Sequence, residues 1–117
     1  LKQIKETKSL VNVFFKLTKD SPVHIGLAAL LCYESMVPEV VEAKIQGLKE
    51  YYGLDDDELL KFFYVHILAD KIHREVCYAL LDSVCKTNEQ KSEAFQAVDS
   101  ALDVLNGFLT GVQKNYC

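Results

Sequence analysis

Apolar residues recur every three or four positions along almost the whole chain, which is the spacing of one face of an α-helix. Only two prolines and five glycines interrupt the pattern, and no alternating run of β-branched residues is long enough to suggest a sheet. We therefore predict an all-α bundle of four helices in one domain over residues 1–117. The predicted helices run from about Lys2 to Lys19, from Ser21 to about Tyr52, from Asp55 to about Val84, and from Thr87 or Asn88 onwards.

Residues typical of helix ends support these boundaries. Ser21 followed by Pro22 is a common helix start, and Gly53 is a natural stop for the second helix. Asp55 with Glu58 is a plausible capping pair for the third helix. In the fourth helix, large apolar residues spaced by three and four predict one packing stripe, formed by Phe95, Val98, Leu102, Leu105, Leu109, Val112 and Tyr116.

Ionisable residues interrupt the apolar faces of the two central helices. Glu34 stands where a leucine would be expected, and His66, Asp70 and His73 occupy the middle of the face on the third helix. These last three fall within an arc of about 60° at 3.6 residues per turn. A buried charge without a partner costs several kcal/mol, whereas inward carboxylates and histidines are how a helical bundle binds iron or manganese. The four residues are therefore candidate metal ligands, with buried hydrogen-bonded pairs as the alternative.

His24 has no such neighbours in its sequence context, and we interpret it as an ordinary first-turn residue. The charges elsewhere, 17 acidic and 13 basic, are scattered and leave a net charge of −4 without any basic run. This pattern argues against nucleic acid as a partner. The four cysteines contain no CxxC pair, and no long uninterrupted apolar window is present, so we expect reduced thiols, a cytoplasmic location and no membrane span.

Three sequence segments resemble one known family. They are YESMVP from Tyr33, KIQGL from Lys44, and the HxxxDxxH spacing of His66, Asp70 and His73. Together they resemble the chlamydial branch of the heme-oxygenase-like diiron oxidases, a family that includes pyrroloquinoline-quinone synthase and TenA relatives. The resemblance covers roughly residues 9–84. It implies iron, or manganese, bound by Glu34 and the three residues of the third helix.

The resemblance also implies that the chain is the C-terminal part of a longer fold. The family has a further Glu and His pair on an upstream helix, and no segment of this chain matches it. The chain begins at Leu1 without a methionine, so we expect it to be a fragment that lacks N-terminal helices. A missing N-terminal half, a separate polypeptide or a partner subunit, as in a homodimer, would then complete the metal site.

Members of the chlamydial branch resemble an oxygen-activating oxidoreductase that makes para-aminobenzoate for folate synthesis. A small molecule or a part of the protein itself would be the substrate. Lys44 falls at the position of the proposed amine-donating lysine, and Tyr33 lies along the same edge of the helix, so both are candidate catalytic residues. A solvent-facing lysine is the alternative interpretation of Lys44.

Two other functions remain open at this point. The chain is alternatively a non-catalytic helical interaction module, either a degraded remnant or an effector that binds a host death-domain protein, as the resemblance to the chlamydial branch implies. Such a module would expose apolar surface and dimerise through it. A TenA-like thiamin-degrading enzyme would instead need a cysteine facing the pocket, and Cys77 lies one turn beyond the candidate ligands.

Overall fold

The computed structural model describes residues 3–117. Within this range the chain is helical apart from short connections, and it contains no strand. The prediction of an all-α bundle of four helices is therefore confirmed. The predicted start of the first helix at Lys2 lies outside the described residues. The helices are α1 (Lys5–Lys19), α2 (Val23–Tyr52), α3 (Asp57–Val84) and α4 (Asn88–Tyr116).

The predicted stop of α2 is confirmed, and its predicted N-cap is wrong. Gly53 ends the helix with a left-handed φ of 64°, a conformation that glycine adopts without steric cost. Ser21, however, is not the N-cap. Pro22 holds that position, and the Ser21 hydroxyl instead donates a hydrogen bond to the carbonyl oxygen of Lys16 at 2.8 Å. The serine therefore closes the end of α1.

The starts of α3 and α4 are both capped by side chains. Asp56, one residue later than predicted, accepts a hydrogen bond from the backbone N–H of Glu58 at 2.8 Å. Thr87 caps α4 and forms a reciprocal capping box with Gln90. The helix boundaries are thus set locally, by polar side chains that satisfy the first free N–H groups.

The second helix is the centre of the bundle. Among residues 3–117, α2 packs against each of the other three helices and α1 also packs against α4, whereas α3 lies alongside α2 alone. Small residues form the closest helix contacts, which brings α2 and α4 near each other. Five alanines of α2 and α4 are buried here: Ala28, Ala29, Ala94, Ala97 and Ala101.

The predicted packing stripe of α4 is wrong in most of its members. The residues that α4 buries are alanines and Gly111, whereas Phe95 is 73% exposed and Leu109 is 63% exposed. Val98 and Leu105 alone of the predicted stripe pack against the alanine core. The pattern contained two adjacent apolar faces, and periodicity does not reveal which one a close helix contact selects, since that depends on side-chain size across the interface.

By length and composition alone, α2 is apolar enough to cross a membrane. The fold offers a simpler reason for this composition, because α2 has neighbours on three sides and buries residues along most of its first half. Pro38 lies inside the helix and is buried, and the helix continues through it. A core helix of a bundle needs the same apolar composition as a membrane span.

Candidate metal centre

Glu34, Asp70 and His73 face one another across the interface between α2 and α3. The Nδ1 atom of His73 lies 3.7 Å from Oε2 of Glu34 and 3.6 Å from Oδ1 of Asp70. One ligand atom from each residue lies within 4.8 Å of the others. Asp70 is buried, Glu34 is half-buried, and the side chain of His73 is 56% exposed. The cluster therefore has a buried floor and one open side.

The hydrogen bonding of this cluster is incomplete. Oε2 of Glu34 is buried and has no hydrogen-bond partner among the described residues. The two contacts of His73 are longer than a normal hydrogen bond. Burial raises the pKa of Glu34, the nearby Asp70 carboxylate raises it further, and His73 acts in the opposite direction. Two neighbouring carboxylates, one with a buried oxygen that accepts no hydrogen bond among the described residues, destabilise the chain unless a cation or a proton offsets their charge.

This donor set fits a divalent metal ion. A cation would neutralise the two carboxylates and occupy the lone pair that Glu34 leaves free. Carboxylate and imidazole ligands on facing helices suit iron and manganese, and the open side at His73 leaves room for further ligands. Glu34, Asp70 and His73, three of the four ligands predicted from the sequence, are therefore the residues that would hold such an ion.

The structure does not bring His66 into this cluster. His66 lies one turn before Asp70 and is half-buried, and its Nδ1 atom is 2.7 Å from the carbonyl oxygen of Phe62. Its ring also stacks on the Phe62 ring, with centroids 4.0 Å apart. When Nδ1 donates to that carbonyl, Nε2 keeps a free lone pair, and this is the usual arrangement of a metal-binding histidine. His66 thus keeps one ring nitrogen available for a ligand but lies outside the cluster.

Neither candidate catalytic residue reaches the cluster. Tyr33 is 46% exposed and lines an apolar groove together with Phe14 and Phe15 of α1. Lys44 is exposed beside a shallow pocket that Phe63 also lines. It lies ten residues after Glu34, a rise of roughly 15 Å along α2. The structure therefore places Tyr33 and Lys44 on surfaces away from the three converging ligands.

The structure also pairs a histidine that the sequence did not single out. His24 is buried, and its Nε2 atom lies 2.7 Å from Oε2 of Glu93, which joins the first turn of α2 to α4. Our interpretation of His24 as an ordinary first-turn residue was wrong. The two residues are 69 positions apart, so no local pattern connects them. Their pairing follows from the packing of α2 on α4.

Cys77 lies one turn beyond the cluster and is half-buried. Burial raises the pKa of its thiol, and the negative charge of Glu34 raises it further. A raised pKa keeps a cysteine in the unreactive thiol form at neutral pH. This environment is the opposite of what a nucleophilic cysteine needs, so it argues against a TenA-like reaction at Cys77.

Residues 1–106 match the family described as iron-containing redox enzymes. The chain belongs to this heme-oxygenase-like family. It is 38% identical over 112 residues to a 4-aminobenzoate synthase of Nitrosomonas europaea, an alignment that covers 96% of this chain and 46% of that protein. It is 32% identical over 102 residues to a 4-aminobenzoate synthase of Chlamydia trachomatis, covering 87% of this chain and 43% of that protein.

These matches confirm the resemblance seen in the sequence, including its chlamydial branch. They also confirm the heme-oxygenase-like fold class and make iron the metal that the family supports. The chain spans less than half the length of the curated relatives it matches. The relatives therefore carry a comparable length of polypeptide that has no counterpart in these 117 residues.

Proposed function

We propose that this chain is the metal-binding half of an iron-dependent oxidoreductase that uses dioxygen and makes 4-aminobenzoate, a precursor of folate. One observation carries the proposal. Glu34, Asp70 and His73 converge at the α2–α3 interface, and one buried carboxylate oxygen there has no hydrogen-bond partner in the described part of the chain. In a family of iron-containing redox enzymes, a bound iron ion is the simplest reason to retain such a costly cluster.

The residues of the site have different tasks in this proposal. Glu34 and Asp70 supply negative charge from a partly buried position, and His73 supplies a neutral nitrogen at the open side. Iron bound there would supply the binding and activation of dioxygen. Phe62 and Phe63 pack edge to face about one turn before His66, with ring centroids 5.4 Å apart. Manganese is a second candidate for the same ligands.

The substrate assignment rests on the names of the relatives and on Lys44. We propose Lys44 as the amine donor and Tyr33 as a further catalytic residue, with a small molecule or part of the protein as the source of the ring. Lys44 lies ten residues after Glu34, a rise of roughly 15 Å along α2, so its amine would act outside the three converging ligands. We also propose a cytoplasmic location, since Cys32, Cys77 and Cys85 are separate thiols within or at the ends of helices.

Metal content tests the proposal directly. We expect anaerobically loaded chain to retain near-stoichiometric iron by elemental analysis, and Asp70→Ala and His73→Ala to lose most of it. The matched control is Glu75→Ala, which removes an exposed carboxylate from the same helix outside the cluster. Background iron in the unaltered chain, or equal loss in all three variants, would contradict the proposal.

The role of Lys44 has a separate test. In the longest native form of the protein, we expect Lys44→Arg to abolish the release of 4-aminobenzoate and to leave the iron content unchanged, because arginine keeps the charge but is a poor amine donor. Lys49→Arg is the control, since Lys49 lies on the same helix as Lys44 and its Nζ atom is paired with Oδ1 of Asp55 at 3.0 Å. Equal product from both variants would exclude Lys44 as the donor.

The alternative of a non-catalytic interaction module is not favoured. The unsatisfied carboxylate of Glu34 beside Asp70 and His73 destabilises a chain that binds no ion, so the cluster favours a metal-binding function over a remnant. No feature of the described residues supports binding to a host death-domain protein. Association with a second copy or with a missing N-terminal half is compatible with the enzyme and is part of the proposal.

A further inference from the structure

The pocket beside Lys44 is formed by the last turns of α2 and the start of α3. Its volume is about 340 Å³, near the lower limit of the roughly 300 to 1,000 Å³ that is usual for ligand pockets. We name it the Lys44 pocket, and its lining residues are Lys44, Gly47, Leu48, Tyr51, Tyr52 and Phe63. Three of the six are aromatic, so the pocket suits one small apolar ring.

Gly47 adds no side chain to this lining. It lies three residues after Lys44 on the same face of α2, and a glycine inside a helix destabilises it relative to alanine. Packing within the chain does not require it, because a Cβ atom at Gly47 would lie at an ordinary distance of 3.9 Å from Cδ2 of Tyr51. A Cβ atom at Gly26 would instead lie 3.3 Å from the carbonyl oxygen of Leu17. Gly47 therefore leaves space beside Lys44 that the packing of α2 does not use.

The amine of Lys44 has no carboxylate within 4.0 Å among residues 3–117. It differs in this from the other lysines of α2 and α3. Their pairs are Lys49 with Asp55 at 3.0 Å, Lys61 with Glu58 at 3.3 Å, and Lys71 with Glu42 at 3.9 Å. A lysine nitrogen that is not held by a carboxylate is available to a ligand in the pocket.

Aromatic contacts connect the Lys44 pocket to the neighbourhood of the candidate metal centre. The ring of Phe63 packs edge to face on Phe62, with centroids 5.4 Å apart, and Phe62 stacks on His66, with centroids 4.0 Å apart. His66 lies one turn before Asp70 of the metal cluster. The pocket and the cluster are therefore linked along α3 by adjoining rings, although the cluster contains no residue of the pocket.

We propose that the Lys44 pocket holds the benzene ring that becomes 4-aminobenzoate. Gly47 provides the space for the ring, Phe63 is its aromatic wall, and the Lys44 amine lies at its edge. This proposal rests on the function proposed above for Lys44. A benzene ring packs favourably against aromatic side chains, edge to face or offset. The ring belongs either to a free small molecule or to an aromatic side chain of the protein, and both present the same flat ring to the pocket.

The first test fills the pocket in the longest native form of the protein. We expect Gly47→Leu to lower the release of 4-aminobenzoate by at least about tenfold, because its side chain would occupy the space of the ring. Iron content and the midpoint of thermal unfolding should not fall. Gly107→Leu is the matched control, since Gly107 lies inside α4 with open space at its Cβ position. Undiminished product from a folded Gly47→Leu variant would overturn the proposal.

The second test changes the wall of the pocket without filling it. Phe63→Leu keeps an apolar side chain but removes the flat ring, and we expect product release to fall several-fold at unchanged iron content. Phe95→Leu is the control, an exposed phenylalanine of α4 outside the Lys44 pocket. This variant decides the question if circular dichroism shows that Gly47→Leu does not fold. Equal product from Phe63→Leu and Phe95→Leu would contradict the assignment of Phe63.

A binding measurement tests the pocket without turnover. In metal-free protein we expect saturation-transfer NMR to show contact between the ring protons of added 4-aminobenzoate and the unaltered protein. The signal should be lost in Gly47→Leu and kept in Gly107→Leu. An absent signal with the unaltered protein, or an equal signal with Gly47→Leu, would overturn the proposal.

Isotope labelling separates the two sources of the ring. Protein with ¹³C in its aromatic rings should release heavy 4-aminobenzoate if a side chain supplies the ring, and light product if a small molecule does. Gly47→Leu should lower either product. The functional assignment of Lys44 fails separately, when Lys44→Arg releases as much product as Lys49→Arg. Loss of product in Lys44→Arg together with full product in Gly47→Leu would overturn the ring pocket alone and leave Lys44 as the donor.

Discussion

Two polar clusters lie along the same helix and are built in opposite ways. At the first turn of α2, His24 meets Glu93 at hydrogen-bonding distance, 2.7 Å, and the pair joins α2 to α4. Near the middle of α2, Nδ1 of His73 lies 3.7 Å from Glu34 and 3.6 Å from Asp70, and a buried oxygen of Glu34 has no hydrogen-bond partner among residues 3–117. Both clusters combine carboxylate and imidazole, but only the first is complete without a further atom.

The difference separates a structural pair from a candidate ligand site. A buried polar group normally has a partner, and a pair that is closed adds stability and orders the packing. A cluster with an unsatisfied polar atom destabilises the fold in the absence of a ligand. A bound ligand offsets that destabilisation. The residue types alone do not distinguish the two clusters, whereas the distances between their atoms do.

The largest expected effect comes from removing the hydrogen bond between His24 and Glu93. We expect His24→Ala to lower the free energy of unfolding of the metal-free chain by about 2 to 3 kcal/mol, because it removes a buried ring and its hydrogen bond. His73→Ala, at a half-exposed position, should lower it by less than about 1 kcal/mol. Urea unfolding measures both values, and similar losses would erase the distinction between the clusters.

A smaller effect, of opposite sign at the two clusters, should follow from exchanging glutamate for glutamine. In metal-free protein we expect Glu34→Gln to raise the free energy of unfolding by about 1 kcal/mol, because it removes an unpaired buried charge beside Asp70. Glu93→Gln should lower it by a similar amount, since it weakens a charge-assisted hydrogen bond to His24. Thermal unfolding of both variants tests the signs, and a destabilised Glu34→Gln would show that Glu34 is already satisfied.

The smallest effect tests the close packing between α1 and α4. A Cβ atom on Gly111 of α4 would lie 2.7 Å from Cγ of Glu6 on α1, so Gly111→Ala should cost about 1 kcal/mol. Gly107, one turn earlier, has open space at the same position, and Gly107→Ala should stabilise the chain by up to about 1 kcal/mol. Stabilisation by both substitutions would mean that α1 and α4 do not approach this closely.

Much of the fold could be predicted because it depends on local signals. Helix periodicity, the glycine stop at Gly53 and the cap at Thr87 act within a few residues, and all three agree with the structure. Two assignments were wrong for different reasons, one a local competition between two helix ends and the other a contact between distant helices. Ser21 closes the preceding helix instead of starting the next one, and the fourth helix packs through alanines instead of its larger residues.

The candidate site also has features that the sequence shows and features that only the tertiary structure shows. The sequence by itself determined that Glu34, Asp70 and His73 interrupt apolar faces, because a charge inside an apolar stripe is visible without coordinates. Tertiary structure decided which of these residues converge, that His66 stays beside them, and that His24 is paired with Glu93 instead. The physical reason is that periodicity fixes the direction of a side chain on its own helix, whereas the distance to another helix depends on how closely the two helices pack.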